Sequence, residues 1–237
     1  MSDSIKKYID ALLAEIETIS PEQLEANELR HQEKAQLADE ENTKRAKDRF
    51  RDKLRASGVP ERYLDASINN FKAETPEQNK VYEKIMDYFE EIEEGSSASM
   101  IIFGAVGTGK TWIGCMLVSA RLGDWTTAKI ITAKKYSGKI RESYREGSPK
   151  SESEIMEEFG NADLLVMDEV GRQFDTEAEK LYLFDLIDER YRNKKPTVFL
   201  SNLDKEALEN FVGPAVFDRM KADGGRAYRL DWPSRRK

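Results

Sequence analysis

The sequence predicts an α/β protein: an open parallel sheet flanked by helices, with a helical arm ahead of it. Three observations carry that prediction. Met100-Ile101-Ile102-Phe103 is a short apolar run leading into Gly104-Ala105-Val106-Gly107-Thr108-Gly109-Lys110-Thr111, and an apolar helical stretch follows from Trp112. Leu164-Leu165-Val166-Met167 is a second apolar run, closed by Asp168 and Glu169. Pro196-Thr197-Val198-Phe199-Leu200 is a third, ending in the polar pair Ser201-Asn202. Short uninterrupted apolar runs read as buried strands. Strands alternating with helices and ending in polar residues describe an open parallel sheet with its ligand at the strand C-termini.

The other elements follow in order. Ile5, Tyr8, Ile9, Leu12, Leu13 and Ile16 form one helical stripe over 4–17,. Ser20 and Pro21 read as N-cap and first residue of a second helix over 21–57, rich in charge and poor in apolar periodicity,. Residues 1–57 are therefore either a charged arm or, as favoured here, a helical partner-binding region. The main domain is expected over 58–237, opening at the helix-breaking Gly58-Val59-Pro60. A helix over 76–94 has Thr75 as cap, Pro76 at its start, and Val81, Ile85, Tyr88, Phe89 and Ile92 inward. Residues 129–133 read as a strand, and 134–146 as a basic helix with Tyr136, Ile140 and Tyr144 among its cations. Helices follow over 154–160 and over 176–192, the latter with Leu181, Phe184, Leu186, Ile187 and Tyr191 as core candidates. Short helices are expected over 204–211 and 214–221, and a final strand over 227–232.

Composition narrows the function classes. The chain has 237 residues, 39% apolar and 35% charged, with a formal net charge of −7. No global positive field draws in nucleic acid, so any such contact needs a local patch. The single cysteine, Cys115, excludes a disulfide framework and a cysteine zinc site, and reads as a small buried hydrophobe,. The single histidine, His31, lies in a polar stretch and reads as solvated. No secretory signal is visible and no apolar run approaches the ~20 residues that span a bilayer, so a cytoplasmic protein with no membrane partner is expected.

Gly104–Thr111 fits G-x-x-x-x-G-K-[ST] with a strand before it and a helix after it,. Its glycines let successive N–H groups point inward, and the helix start adds the positive end of its dipole. Gly104, Val106, Gly107, Thr108, Gly109, Lys110, Thr111 and Trp112 form the expected cofactor-binding set. Lys110 is suited to the β- and γ-phosphates of ATP, and Thr111 with Asp168 to Mg²⁺. Glu169 is placed to polarise an attacking water. Asn202 would lie beside the loop if its strand neighbours the first; as a helix cap, Asn202 and Asp204 fit equally well. Lys134, Lys135, Lys139, Arg141 and Arg145 offer cations for phosphates, and the tyrosines between them offer stacking surfaces. A solvated helix face is the competing reading of that stretch.

From about Ser57 onward these features, with Val216-Phe217-Asp218-Arg219-Met220, resemble the AAA+ ATPases of the DnaC/IstB group. The resemblance implies a P-loop AAA+ sheet without a full C-terminal lid. It makes Lys110 and Thr111 the Walker A lysine and Mg²⁺ ligand, Asp168 and Glu169 the Walker B pair, and Asn202 sensor 1. Arg219 becomes an arginine finger acting on a neighbouring subunit, and Arg236 the sensor 2 residue, although Pro233 and Arg235 depart from the family pattern. Residues 58–71 resemble the linker that packs near adenine. The implied activity is ATP hydrolysis by a replicative helicase loader that binds the helicase and single-stranded DNA during replication initiation and self-associates. An IstB-like transposition helper and an adaptor with dispensable hydrolysis are the alternatives.

Overall fold

In the computed structural model the described residues are Lys7, 21–123, 126–171 and 176–235. The apolar stripe expected over 4–17, the Ser20 cap, the His31 side chain and Arg236 lie outside them. The chain divides into two compact units, residues 1–51 and 52–237. In the first, helix α1 (Pro21–Ala56) exposes every described side chain up to Arg51, Leu29 and Leu37 included. This is the outcome of its poor apolar periodicity. No helix among the described residues is long and apolar enough to cross a membrane.

The second unit holds five parallel strands: β1 (Met100–Gly104), β2 (Ala128–Thr132), β3 (Leu164–Val170), β4 (Thr197–Ser201) and β5 (Arg226–Leu230). Their order is β2-β3-β4-β1-β5. The last strand starts one residue earlier and ends two earlier than the sequence suggests. Successive side chains point to opposite faces, and both faces are covered. Met100, Ile102, Val166, Val198 and Leu200 join a core with α2 (Pro76–Glu93), α3 (Lys110–Arg121) and Leu54, Val59 and Leu64. Ile101, Leu165, Met167 and Phe199 face the other core, under α4 (Ala133–Ser143), α5 (Glu152–Gly160), α6 (Glu177–Arg192), α7 (Lys205–Val212) and α8 (Pro214–Lys221). Helix α3 lies close on the sheet because Gly114 has no side chain; a Cβ there would sit 2.7 Å from Leu200 and 2.9 Å from Val166.

Helix starts follow capping chemistry. Thr75 accepts from the Gln78 N–H, with Pro76 next. Ser151 and Glu154 form a reciprocal capping box that begins α5 at Glu152, two residues before the predicted start,. Asp204 accepts from the Ala207 N–H at 2.8 Å and caps α7, which leaves Asn202 free of that role.

Helix α6 departs from the expected core. Leu181 and Tyr191 are exposed, whereas Leu183, Leu186, Ile187 and Arg190 face inward. The inward positions keep helical spacing, but the last is a cation, which an apolar pattern passes over. Arg190 is 0% exposed and donates to Thr197 Oγ1 and to the carbonyls of Phe159, Gly160, Ala162 and Pro196. Burial pulls its pKa down to about 9, so it remains a cation at neutral pH. A planar fork can reach this many oxygens at once and an ammonium cannot. Arg190→Lys is expected to destabilise the fold by about 3 kcal/mol, read as a lower urea midpoint with unchanged slope.

Candidate nucleotide-binding site

The loop after β1 is shaped by its glycines. Gly107 and Gly109 have φ of 87° and 102°, the left-handed region that favours glycine, and Gly109 passes directly into α3,. The loop borders a cavity of about 380 Å³ at the C-terminal edge of the sheet. Val106 through Trp112 line one side of it, and Asp168, Glu169, Leu200 and Asn202 the floor. Arg62, Tyr63, Asn70, Phe71 and Lys72 form a further wall, and Arg235 joins them. Nearly all the residues expected around a nucleotide are thus brought together, and Arg62, Tyr63, Asn70 and Phe71 of the 58–71 segment line the same cavity. Gly104 lies outside this lining and contributes its carbonyl to Lys110.

That wall is built from stacked rings. Phe71 stacks on Tyr82 at 4.0 Å with planes 3° apart, and Trp112 meets Phe71 at 5.5 Å. The Tyr82 hydroxyl donates to the Ile68 carbonyl at 3.0 Å, and Arg62 lies over Tyr63. Trp112 therefore supports the wall from α3 besides following the loop.

Lys110 is buried, and its Nζ donates to the Gly104 and Ala105 carbonyls, both at 2.7 Å. The Thr111 hydroxyl donates to Asp168 Oδ2 at 2.9 Å, and Asp168 Oδ1 accepts from the Glu169 N–H at 2.7 Å. Glu169 has φ of 56°, and the β3–β4 register shifts between Met167 and Val170. A strained residue in a strand-end bulge is a way of re-aiming side chains into a cleft. Ser201 Oγ fixes the bulge by donating to the Val170 carbonyl at 2.6 Å, and it accepts from the Leu203 N–H. Burial and the nearby Asp168 charge push the Cys115 thiol up to about 12, in keeping with an inert hydrophobe,.

Other expected residues fall elsewhere. Arg219 is not part of the cavity lining. Its Nε donates to Asp188 Oδ1 at 2.7 Å, its Nη2 also pairs with Asp188, and Nη1 donates to the Ala215 carbonyl. Its guanidinium lies over the rings of Phe184 and Tyr191. Helix α4 ends at Ser143, short of the expected 146. Lys135, Lys139 and Arg141 on it and Arg145 just past it line one exposed groove together with Glu142, and Lys134 is exposed but outside it. Lys135 and Lys139 also border a second hollow that reaches Thr111 and Asp168. The expectation that tyrosines here stack on bases fails for Tyr136, which is 1% exposed and packs edge-on against Phe159 in the core. Tyr144 is exposed, with its hydroxyl on Glu152. Sequence reasoning missed the Asp188–Arg219 and Trp232–Thr108 pairs, whose members lie 31 and 124 residues apart.

The fold and the cavity define a P-loop nucleotide-binding protein of AAA+ type. The chain belongs to the IstB-like ATP binding protein family, whose model matches residues 8–221. It is 30% identical over 183 residues to the replicative helicase loader DnaC of Buchnera aphidicola subsp. Schizaphis graminum, covering 77% of this chain and 74% of that one. It is 30% identical over 180 residues to DnaC of Escherichia coli K12, covering 76% and 73%. A crystal structure of the DnaC helicase loader superposes with TM-score 0.63 at 17% identity, over 72% of this chain and 99% of the other. AMPPCP-bound DnaA from Aquifex aeolicus superposes with TM-score 0.60 at 19% identity, over 72% of this chain but only half of DnaA. At those identities the structural likeness speaks for the fold alone.

Burial, opposed by its two hydrogen bonds, pushes the Asp168 carboxyl above the usual range. A raised native pKa means that the native state binds the proton more tightly than the unfolded chain, so ionisation weakens folding as pH rises through the carboxylate range. Asp168→Asn is therefore expected to raise the melting temperature of the nucleotide-free protein at pH 7. The shift is about 2–4 °C for each kcal/mol regained. The gain should shrink as the pH is lowered through the carboxylate range and the native aspartate takes up its proton.

Proposed function

We propose that the chain is an ATP-dependent loader of a replicative DNA helicase that works with single-stranded DNA. The observation that carries this reading is that Lys110, Thr111, Asp168, Glu169 and Asn202 share one cavity while Arg219 is held outside it. Such a site is furnished to bind and hydrolyse a nucleoside triphosphate, with one arginine left to act on a neighbouring subunit. The names carried by the DnaC relatives and the exposed cationic groove on α4 support the finer assignment.

In this reading Lys110 leaves the Gly104 and Ala105 carbonyls for the β- and γ-phosphates, and Asn202 and Glu169 orient and polarise the attacking water. The Thr111 hydroxyl and Asp168 carboxylate are hard oxygen donors already in contact, a fit for Mg²⁺,. Among the described residues no group of three His, Cys, Asp or Glu could hold an ion alone. Phosphate oxygens and water would complete its shell, and the bound ion supplies neutralisation of phosphate charge. Residues 62–72 and Arg235 form the base side of the pocket. Lys135, Lys139, Arg141 and Arg145 contact the DNA backbone, with Lys134 beside them, and residues 1–57 hold the helicase.

ATPase activity is best measured with and without single-stranded DNA and a cognate replicative helicase. Lys110→Ala is expected to abolish nucleotide binding in a calorimetric titration. Arg219→Ala should bind ATP normally but lose the stimulated rate, since a trans arginine contributes ~10³–10⁵ in comparable enzymes. Full stimulation of Arg219→Ala would overturn the trans role. The IstB-like family also keeps the alternative of a transposition helper in view. Capture of a transposase in place of a helicase by residues 1–57 within the full chain would decide for it.

A further inference from the structure

The polypeptide after β5 crosses the outer side of the phosphate loop. The indole Nε1–H of Trp232 donates to the Thr108 carbonyl at 2.9 Å, and the Arg235 backbone N–H donates to the Gly107 carbonyl at 2.8 Å. Ser234 lies so close to the loop that a Cβ on Gly107 would sit 2.0 Å from its Oγ. Beyond the loop, Arg235 Nη2 donates to the Lys72 carbonyl at 2.6 Å and its guanidinium lies over Phe71 at 5.7 Å. The same few residues therefore bond both the loop and the aromatic wall of the same cavity.

A phosphate nest works only if its amides point inward, which turns its carbonyls outward, where they need donors of their own. The donors here come from three sources. Lys110 serves Gly104 and Ala105, the Thr108 hydroxyl also serves Ala105 at 3.0 Å, and the 232–235 segment serves Gly107 and Thr108. Lys110 must swing away when a triphosphate arrives, whereas the contacts from the 232–235 segment are free to stay and are the ones that come from outside the loop. We infer that Trp232, with the Arg235 backbone, is a positioning element that keeps the phosphate loop in its anion-binding shape while Lys110 changes partners. This rests on the nucleotide reading of the cavity and adds to it a determinant of phosphate recognition that touches no phosphate.

The test is calorimetric titration of the full-length protein with ATP, ADP and AMP. Trp232→Phe keeps an aromatic ring and removes the N–H. It is expected to weaken ATP and ADP by about five- to tenfold, the worth of one such hydrogen bond. AMP, whose single phosphate reaches less of the nest, should change less than about twofold. A backbone comparison guards against a packing defect at Trp232: Arg235→Ala keeps the N–H and Arg235→Pro deletes it. ATP should bind more weakly to the Arg235→Pro protein than to the Arg235→Ala protein. Unchanged ATP affinity in Trp232→Phe overturns the inference, as does an equal loss for ATP and AMP, the mark of general damage. A wild-type protein that binds none of the three overturns the nucleotide reading itself, and this inference with it.

Discussion

The 2.9 Å hydrogen bond from Thr111 to Asp168 joins the loop after β1 to the end of β3, two strands that are not neighbours. It can form only because β4 lies between them, parallel to both, with all three ending level. Ser201 shows how the level is set: it pairs with Phe103 on one side and with Val170 on the other. Register upstream, where Met167 faces Phe199, would have placed Glu169 opposite Ser201. One extra residue in β3 shifts that partner to Val170 and leaves Asp168 and Glu169 in the bulge, aimed at the loop. The positive φ of Glu169 is the local strain this arrangement carries,.

The opposite edge of the sheet has the complementary task. Arg190 binds the carbonyls of Phe159, Gly160 and Ala162, just ahead of β3, and Pro196 and Thr197 at the start of β4. One buried cation therefore ties the entry points of the two strands whose exits carry Asp168, Glu169 and Asn202. A parallel sheet covered on both faces offers ligands only its C-terminal edge. Fixing the N-terminal edge lets the strand ends hold a bulge and a strained residue without the register drifting.

Much of this was legible in the sequence because parallel strands announce themselves as apolar runs with polar ends. The strands β1, β3 and β4 and the Asp168–Glu169 and Asn202 endpoints follow from that rule, whereas β5 was legible only as an alternating stretch and the loop from its glycine spacing and Lys-Thr pair. The missed features depend on residues that meet only in three dimensions. Arg190 occupies an inward position of α6 that an apolar pattern assigns to Tyr191 or Leu181. Tyr136 reads as one ring of a basic surface until the helix is rotated by its packing against Phe159 and Met156. Trp232 sits in what reads as the end of a strand, yet its use depends on Thr108, 124 residues earlier. Capping followed the same division: Asp204 and Asn202 are equivalent by type, and only the geometry of α7 separates them.

Arg219 is held in a way that suits transfer to a second partner. A guanidinium has five N–H groups. Nε and Nη2 bond Asp188, and Nη1 bonds the Ala215 carbonyl. Three donors are thus engaged, two of them along one side of the fork, and one N–H remains on each terminal nitrogen. Asp188 is itself mostly buried and is also paired with Arg192 at 2.6 Å. Phe184 and Tyr191 support the guanidinium plane. The resulting side chain is anchored through one edge and still able to donate through the other. An arginine fully buried like Arg190 is out of a phosphate's reach, and an unsupported surface arginine must lose side-chain entropy on binding one,. The α6–α8 contact falls between these limits, in keeping with the trans role proposed for Arg219.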